Sequence, residues 1–408
     1  MKQKSVLLLC AFLFILLSAF PLGAADMGLI LDQSASYTRF DGDGSLVYSG
    51  SLIPWFSVPL GESGDFYFSA SATRKYENEK WFFIPELFRT EFEWRFSKST
   101  QVKLGRFQYT DPLGFIAAGL FDGLQFSQVL GNGVLSLGGW YTGFLFKKTA
   151  EITLTPEDLA SYHSELDYGN FSDTYFASRR VFAALGYEHP AIAEKIRLKT
   201  ALLGQLDLNS RETEEAFNSA YFALKLTVPL GASFFIDAGG AVEGSDDGVE
   251  RKLAFAGEGG LSWLPPTEIK DKLSLMGRFT SGVQEGSSSK VTAFSPLTTE
   301  TQGIILEAKL SGLSALHAVY TARLVQALAI NLSAYYFIRT DKGTYQGWLA
   351  SNEGYRLGAE FFGTLIWSPV SDLRVQVGGG AFLPSLGDTA PSEPLRWKIL
   401  ANVVLVLY

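Results

Sequence analysis

Few residues in this 408-residue chain are spaced for bond-making chemistry. The three histidines, His163, His189 and His317, are far apart in sequence. A nucleophile needs a base within hydrogen-bond reach and a third group to orient it, and no such spacing surrounds any of the three. The single cysteine, Cys10, lies near the start of the chain. Asp41-Gly42-Asp43-Gly44 and Ser245-Asp246-Asp247-Gly248 offer carboxylates, but they lack the ligand series and closing Glu of a calcium loop and read as hairpin turns. The reading is of a protein that is not an enzyme and carries no cofactor. What the chain does hold is charge at every second residue. From Leu87 to Phe96, Arg89, Glu91, Glu93 and Arg95 alternate with Phe88, Thr90, Phe92, Trp94 and Phe96. A helix would scatter those charges around its circumference, whereas a strand gathers them on one face. A wall of fixed charge can sort solutes without reacting with them.

The elements that position such a wall recur along the chain. Segments of about ten residues with the same alternation occupy Ile196–Leu208, Phe222–Leu226, Leu316–Leu324, Ile330–Arg339, Tyr355–Trp367 and Leu373–Phe382. Their polar faces place Arg197, Lys199, Lys225, Arg323, Arg339, Arg356, Glu360 and Arg374 beside the first set, with Arg278, Asp207, Asp237 and Glu258 from neighbouring stretches. Tight turns at Pro59–Gly61, Ser97–Thr100, Gly131–Gly133, Pro229–Gly231, Pro265-Pro266 and Ser368–Asp372 alternate with long polar connections over 148–178, 244–250, 284–302, 340–354 and 385–394. Short turns on one side and long loops on the other are the habit of membrane barrels. Thr155-Pro156-Glu157-Asp158 is an N-cap with proline at the first helical position and predicts a short helix in the longest loop. Over 303–327 one strand is expected, near Leu313–Leu324, with 303–311 left to the loop before it.

The two ends agree. Lys2 and Lys4, an apolar run from Val6 to Leu17 and the small residues Gly23-Ala24-Ala25 read as a leader over residues 1–25, cut before Asp26. Removing it removes Cys10. No later stretch has the ~20 apolar residues of a membrane helix. The chain ends Val403-Val404-Leu405-Val406-Leu407-Tyr408, strand material that stops on an aromatic. Tyr408, Val406 and Val404 at alternate positions resemble the C-terminal targeting strand of bacterial outer-membrane barrels, which implies recognition by the barrel-assembly machinery. Leu407, Leu405 and Val403 make the opposite face apolar as well. The net charge of −8, with 41 Gly, 32 Phe and 17 Tyr, fits barrel strands with aromatic girdles and argues against nucleic acid as a partner.

One stretch resembles a named family. Leu104-Gly105-Arg106, the apolar loop Pro112–Ala118 and Gly119-Leu120-Phe121-Asp122-Gly123-Leu124 look like a strand–loop–strand of alginate-export-type outer-membrane porins. That resemblance implies an eighteen-stranded passive channel, but not alginate as the solute, since the inward charges here are mixed. The alternation slips at Gly105-Arg106, which suggests a bulge. Arg106 either points into the pore as a constriction residue or only marks that bulge, and the apolar loop after it is expected inside the barrel mouth.

The expected fold is all-β: residues 26–408 as a transmembrane antiparallel barrel of about eighteen strands, in contact with outer-membrane lipid. The expected function is passive diffusion of small hydrophilic solutes, with a weak preference for anions, past Arg89, Glu91, Glu93, Arg95, Arg106, Arg197, Lys199, Arg278, Arg323, Arg339, Arg356, Glu360 and Arg374. The alternative is an adhesin or structural barrel with a plugged lumen.

Overall fold

The computed structural model describes residues 25–209, 216–284, 290–345, 347, 349 and 353–408. Residues 1–24 of the expected leader lie outside them. Thirteen strands come first: β1 (Asp26–Phe40), β2 (Asp43–Leu60), β3 (Gly64–Glu77), β4 (Lys80–Ser97), β5 (Thr100–Thr110), β6 (Ala118–Leu130), β7 (Gly133–Tyr141), β8 (Arg180–Ile192), β9 (Ile196–Asp207), β10 (Asn218–Pro229), β11 (Phe234–Asp246), β12 (Arg251–Trp263) and β13 (Lys272–Thr280). Two-residue strands β14 (Thr301–Gln302) and β15 (Ala308–Lys309) pair only with each other, and β16 (Leu313–Val325), β17 (Leu328–Arg339), β18 (Arg356–Val370), β19 (Leu373–Leu383) and β20 (Arg396–Leu407) follow. Without β14 and β15, eighteen strands form one sheet. β20 pairs back onto β1 from Arg39↔Trp397 to Leu29↔Leu407, so the sheet closes on itself. Closure removes the free edges that an open sheet of this size would leave.

The two faces follow from the ladders. One register row runs Glu188↔Lys199↔Lys225↔Gly239↔Glu258↔Arg278 across β8 to β13, and it faces inward. The residues between, such as Leu202, Phe222, Val242, Phe255, Leu275, Leu316, Phe361 and Val377, are large, apolar and exposed on the outer face. An exposed apolar belt of that extent fits contact with lipid rather than water. Val404 and Val406 pair with Asp32 and Ile30 in the inner register, whereas Leu407, Val403 and Ile399 are exposed outside. The apolar residues of the last strand that face outward are therefore the odd-numbered set. The Tyr408 ring lies edge-on to Trp55 at 5.9 Å.

Most short turns, the start of β1 and the end of β20 share one end of the barrel, and the long connections share the other, as expected. The exceptions are the link from Trp263 to Lys272, which is longer than the Pro265-Pro266 turn implied, and the short β1–β2, β3–β4 and β11–β12 turns at the loop end. The last of these replaces the long connection expected over 244–250, because the strands run on to Asp246 and from Arg251. The predicted helix forms over Pro156–His163 with a full capping box, Thr155 and Asp158 each bonding the other's backbone N–H. Asp41 and Gly42 take positive φ, 47° and 88°, and close the β1–β2 hairpin, the geometry that two-residue turns favour.

Two irregularities matter later. The β3–β4 ladder passes from Ser69↔Arg89 to Ala70↔Leu87, leaving Phe88 as an extra residue. The β17–β18 ladder passes from Phe337↔Gly358 to Ile338↔Arg356, leaving Leu357 extra. Each such bulge flips which face the residues beyond it occupy. At the loop end, the main core lies inside the barrel, where Phe107, Leu113, Phe115, Ile116, Phe121, Phe294, Leu297, Ile305, Leu310, Phe337 and Phe382 are buried together.

Candidate functional site: the constricted lumen

The constriction starts where β5 and β6 leave the wall. The β4–β5 ladder ends at Thr90↔Arg106, and the β6–β7 ladder ends at Asp122↔Tyr141. Beyond those rows β5 and β6 pair only with each other, Phe107 with Phe121 and Thr110 with Ala118. Gly105, at φ +109°, supplies the kink, a conformation costly for any residue with a Cβ. The hairpin tip is shaped by Asp111. Its Oδ1 accepts the N–H groups of Leu113 (2.8 Å) and Gly114 (3.1 Å), and its Oδ2 those of Ile116 (2.8 Å) and Ala117 (3.0 Å). Burial pushes this carboxyl up, against the pull of those four donors. The tip reaches the far wall: a Cβ on Gly239 of β11 would meet Leu113 at 2.5 Å, and the Arg278 guanidinium lies 5.4 Å from the centre of the Phe115 ring.

The loop between β13 and β16 locks onto that tip. Thr298 N–H donates to Ile116 O (3.2 Å), Ala118 N–H donates to Thr298 Oγ1 (3.1 Å), and Phe115 meets Phe294 at 6.4 Å. Inward-facing strand residues hold the loop. Glu360 of β18 accepts N–H bonds from Ile304 (2.6 Å), Ile305 (3.1 Å) and Leu306 (2.9 Å), while Lys398 of β20 donates to Ile304 O (3.0 Å) and pairs with Glu307 (2.6 Å). The loop between β7 and β8 joins it: Lys309 Nζ donates to Thr153 O at 2.9 Å, and burial pushes that ammonium down to about 8. Arg180, wholly buried, donates to Asp158 (2.7 Å), Asp207 (3.1 Å) and Gln205 (2.9 Å). Burial alone would raise the Asp158 carboxyl, but Arg180, Ser178 and the Thr155 N–H hold it below the usual carboxylate range.

Nearer the termini the wall is charged. On β4 and β5, Glu91 pairs with Arg89 and with Lys103 (2.8 Å), and Glu93 pairs with Arg95 (3.0 Å) and Lys103 (3.4 Å). On β8 to β13, Glu188 pairs with Arg197 and with Lys199 (3.4 Å), and Glu258 pairs with Lys225 (2.6 Å) and Arg278 (3.4 Å). Asp237 accepts from Thr227 at 2.5 Å. Arg323 and Arg374 face inward and donate to Gln326 O and Gln376 Oε1. Among the described residues no carboxylate lies within ion-pair distance of Arg323, Arg374 or Lys272. A cavity of about 360 Å³ opens in this wall, lined by Lys272, Arg278, Glu300, Gln302, His317 and Tyr335, with the His317 ring stacked on Tyr335 at 3.7 Å.

The structure thus places Arg89, Glu91, Glu93, Arg95, Arg197, Lys199, Arg278, Arg323 and Arg374 on the inner wall. Arg339 and Glu360 also face inward, but both are buried beneath loops. Arg339 donates to Gly354 O at 2.7 Å and to Glu353 O, so it braces the connection between β17 and β18. Two expected pore residues lie on the outer face. Arg106 shares the register row Thr90–Arg106–Asp122–Tyr141, one step out of phase with inward Lys103, Phe107 and Phe121. The bulge expected at Gly105-Arg106 is absent from both β5 ladders. The slip in alternation records the departure of the hairpin instead. Arg106 donates to both oxygens of Asp122 (2.9 and 2.7 Å), to Leu87 O and to Phe144 O (3.1 Å). Arg356 is flipped outward by the extra Leu357 and pairs with Asp388 at 2.8 Å. Lys103, Arg180, Lys272 and Lys398 escaped the sequence reading, although Lys103 sits on the alternation with Gly105 and Phe107.

Comparison with known proteins places the architecture. No family model and no curated protein sequence matches the chain. Solved structures do. OccK2 (OpdF) of Pseudomonas aeruginosa is similar with a TM-score of 0.61 at 13% identity, over 94% of this chain and 97% of that one. OccK5 (OpdH) gives 0.60 at 9% identity over 95% and 99%, and the outer membrane protein OprD gives 0.57 at 13% over 94% and 93%. At such identities the likeness is one of fold: a closed eighteen-stranded antiparallel barrel. It does not extend to the alginate-export-type kinship suggested by Leu104–Leu124.

Proposed function

We propose that the chain is a bacterial outer-membrane channel for passive diffusion of small hydrophilic solutes, with a weak preference for anions. One observation carries the sign: among the described residues of the inner wall, Lys272, Arg323 and Arg374 stand without a paired carboxylate against Asp32 and Asp237 without a paired cation, while Glu91, Glu93, Glu188 and Glu258 each share theirs with two cations. Charge on a narrow wall of low dielectric is screened less than charge on the loops, so the wall outweighs the net charge of −8. Pairing neutralises part of the field, which keeps the preference weak. OccK2 has also been solved in complex with glucuronate, an anionic sugar acid. The inserted hairpin and loops support the alternative of a plugged structural barrel, because they fill the loop end of the lumen with buried apolar side chains.

Planar-bilayer recording of the purified chain separates the two. The expected result is a small conductance whose reversal potential in a salt gradient favours anions. A clear cation preference refutes the sign, and no conductance refutes the channel.

A further inference from the structure

The inward β5–β6 hairpin leaves a strand edge behind it. Residues Lys80–Arg89 of β4 bond to β3 on one side, and on the other they have no ladder with β5. A closed barrel otherwise tolerates no such edge, and here side chains cover it. The Tyr168 hydroxyl donates to Phe83 O (2.6 Å) and accepts from Phe83 N–H (2.8 Å), doing the work of a ladder partner. Tyr175 donates to Pro85 O (2.5 Å), Thr149 to Glu86 (3.1 Å), and Lys80 pairs with Glu165 at 2.7 Å. Pro85, with no N–H to offer, is a residue of edge strands. The cover is a panel built from the β7–β8 connection. Ala177 N–H donates to Leu145 O at 2.9 Å, and Phe146 bridges Phe176, so the panel's root continues β7 and β8 across the vacated gap. Behind it Ile84, Phe146 and Tyr175 form a small core separate from the main one.

We infer that this edge has two competing occupants, the panel and the hairpin, and that their exchange gates the lumen. In the arrangement seen, the panel holds β4 and the hairpin blocks the lumen. In the other, the β4–β5 ladder continues past Thr90↔Arg106, Phe107–Thr110 lie opposite Glu86–Arg89, and the hairpin stands in the wall with the lumen widened. Three features suit the exchange. The panel holds β4 by side-chain bonds rather than a ladder. Its contact with β4, the cluster of Ile84, Phe146 and Tyr175, is separate from the main core, to which the same connection gives Leu145, Ala150, Ile152 and Ala177. Gly105 is a hinge whose inward conformation only glycine takes readily, and a Cβ there would meet Thr90 O at 2.0 Å. The burial of Leu113, Phe115, Ile116 and Ala117 keeps the blocked arrangement dominant, so the open one is a minor state.

The test uses the full-length barrel in detergent and in bilayers. Leu113→Cys/Gly239→Cys reports the inward hairpin through cross-linking by a short bifunctional thiol reagent, and once cross-linked it locks the hairpin in place. In that background Gly105→Ala penalises the inward kink, and Tyr168→Phe/Tyr175→Phe releases β4's edge. The exchange predicts that each lowers the cross-linking rate and raises the open fraction, about tenfold for Gly105→Ala given the usual cost of positive φ for a residue with a Cβ. Prior cross-linking should cancel the gain. Should Gly105→Ala fail to fold, the tyrosine pair carries the test alone. Unchanged cross-linking in the folded variants overturns the exchange. The conductance arm rests on the channel reading: slower cross-linking with no conductance in any variant would keep the exchange as a hairpin motion and remove the channel.

Discussion

Arg180 and Arg106 show how differently one side chain can serve a barrel. Arg180 is wholly buried, between Asp158 of the β7–β8 connection and Asp207 of β9. Removing one partner from a buried ionic group costs on the order of 3–5 kcal/mol. Arg180→Met, which takes the buried cation away from Asp158 and Asp207, should therefore lower the thermal unfolding temperature strongly. Arg197→Met, at an exposed pair, should change stability by less than about 1 kcal/mol; equal losses would show that Arg180 is not a brace. The same site predicts a pH effect. Asp158 is held below its ordinary value, so its contribution to docking is complete above the unfolded carboxylate pKa of about 3.9. It is lost as the pH falls through the lower folded value. A fluorophore at Leu159, on the exposed side of the same helix, should report a constant environment from pH 7 to about 4 and release of the loop only below that. Release in the neutral range would contradict the pairing. Arg106, by contrast, binds Asp122 and two carbonyls from outside the barrel. Its worth lies in marking where the hairpin departs.

At the scale of the strand, period-two alternation made the faces legible. Arg89, Glu91, Glu93 and Arg95 are on the wall because the ladders of β4 run without a shift from Arg89 to Arg95. The alternation failed where the ladder did. Leu357 is one extra residue against β17, and it reverses the face of Arg356 without altering the composition of the segment. Glu360 was legible as inward, but its task of gripping Ile304–Leu306 was not, because its partners lie more than fifty residues away. The inward fold of the Pro112–Ala118 loop could be read, since seven residues so apolar have no place in water. A direct check of the faces uses neighbours on β6. Phe126 is exposed on the apolar outer face and Ser127 pairs with Gln101 on the inner one. Phe126→Arg should cost ~2–4 kcal/mol if that height lies near the bilayer midplane, measured by denaturant unfolding in lipid vesicles. Ser127→Arg should cost little, and equal penalties would mean that the strand does not cross a membrane.

For the whole molecule, the strand count and the arrangement of short and long connections were readable because each turn carries its own chemistry and each strand its own period. The crossing of the lumen was not, because it depends on contacts among three loops, and no local pattern announces them. Closure depends on the last strand. Deleting the final residues back to Val404 removes the Leu29↔Leu407 to Leu31↔Leu405 rows, and should reduce heat-modifiable protein in the membrane fraction. Deleting Tyr408 alone, which lies beyond the ladder, isolates any recognition by the assembly machinery: unimpaired insertion would show that the terminal aromatic is not read.

The panel over β4 also bears on where foreign sequence can be spliced into this barrel. The longest connection is the usual choice for an epitope tag or a displayed peptide, on the assumption that it hangs free. Here it is masonry: an insert between Lys147 and Ser178 pushes on Tyr168, Tyr175 and Arg180's partner, and should cost surface display. In the four-residue turn Asp247–Glu250, Val249 is 79% exposed, and among the described residues the turn's side-chain bonds stay within Asp246–Lys252. A tag placed there should be displayed at full yield, with antibody binding to intact cells as the readout.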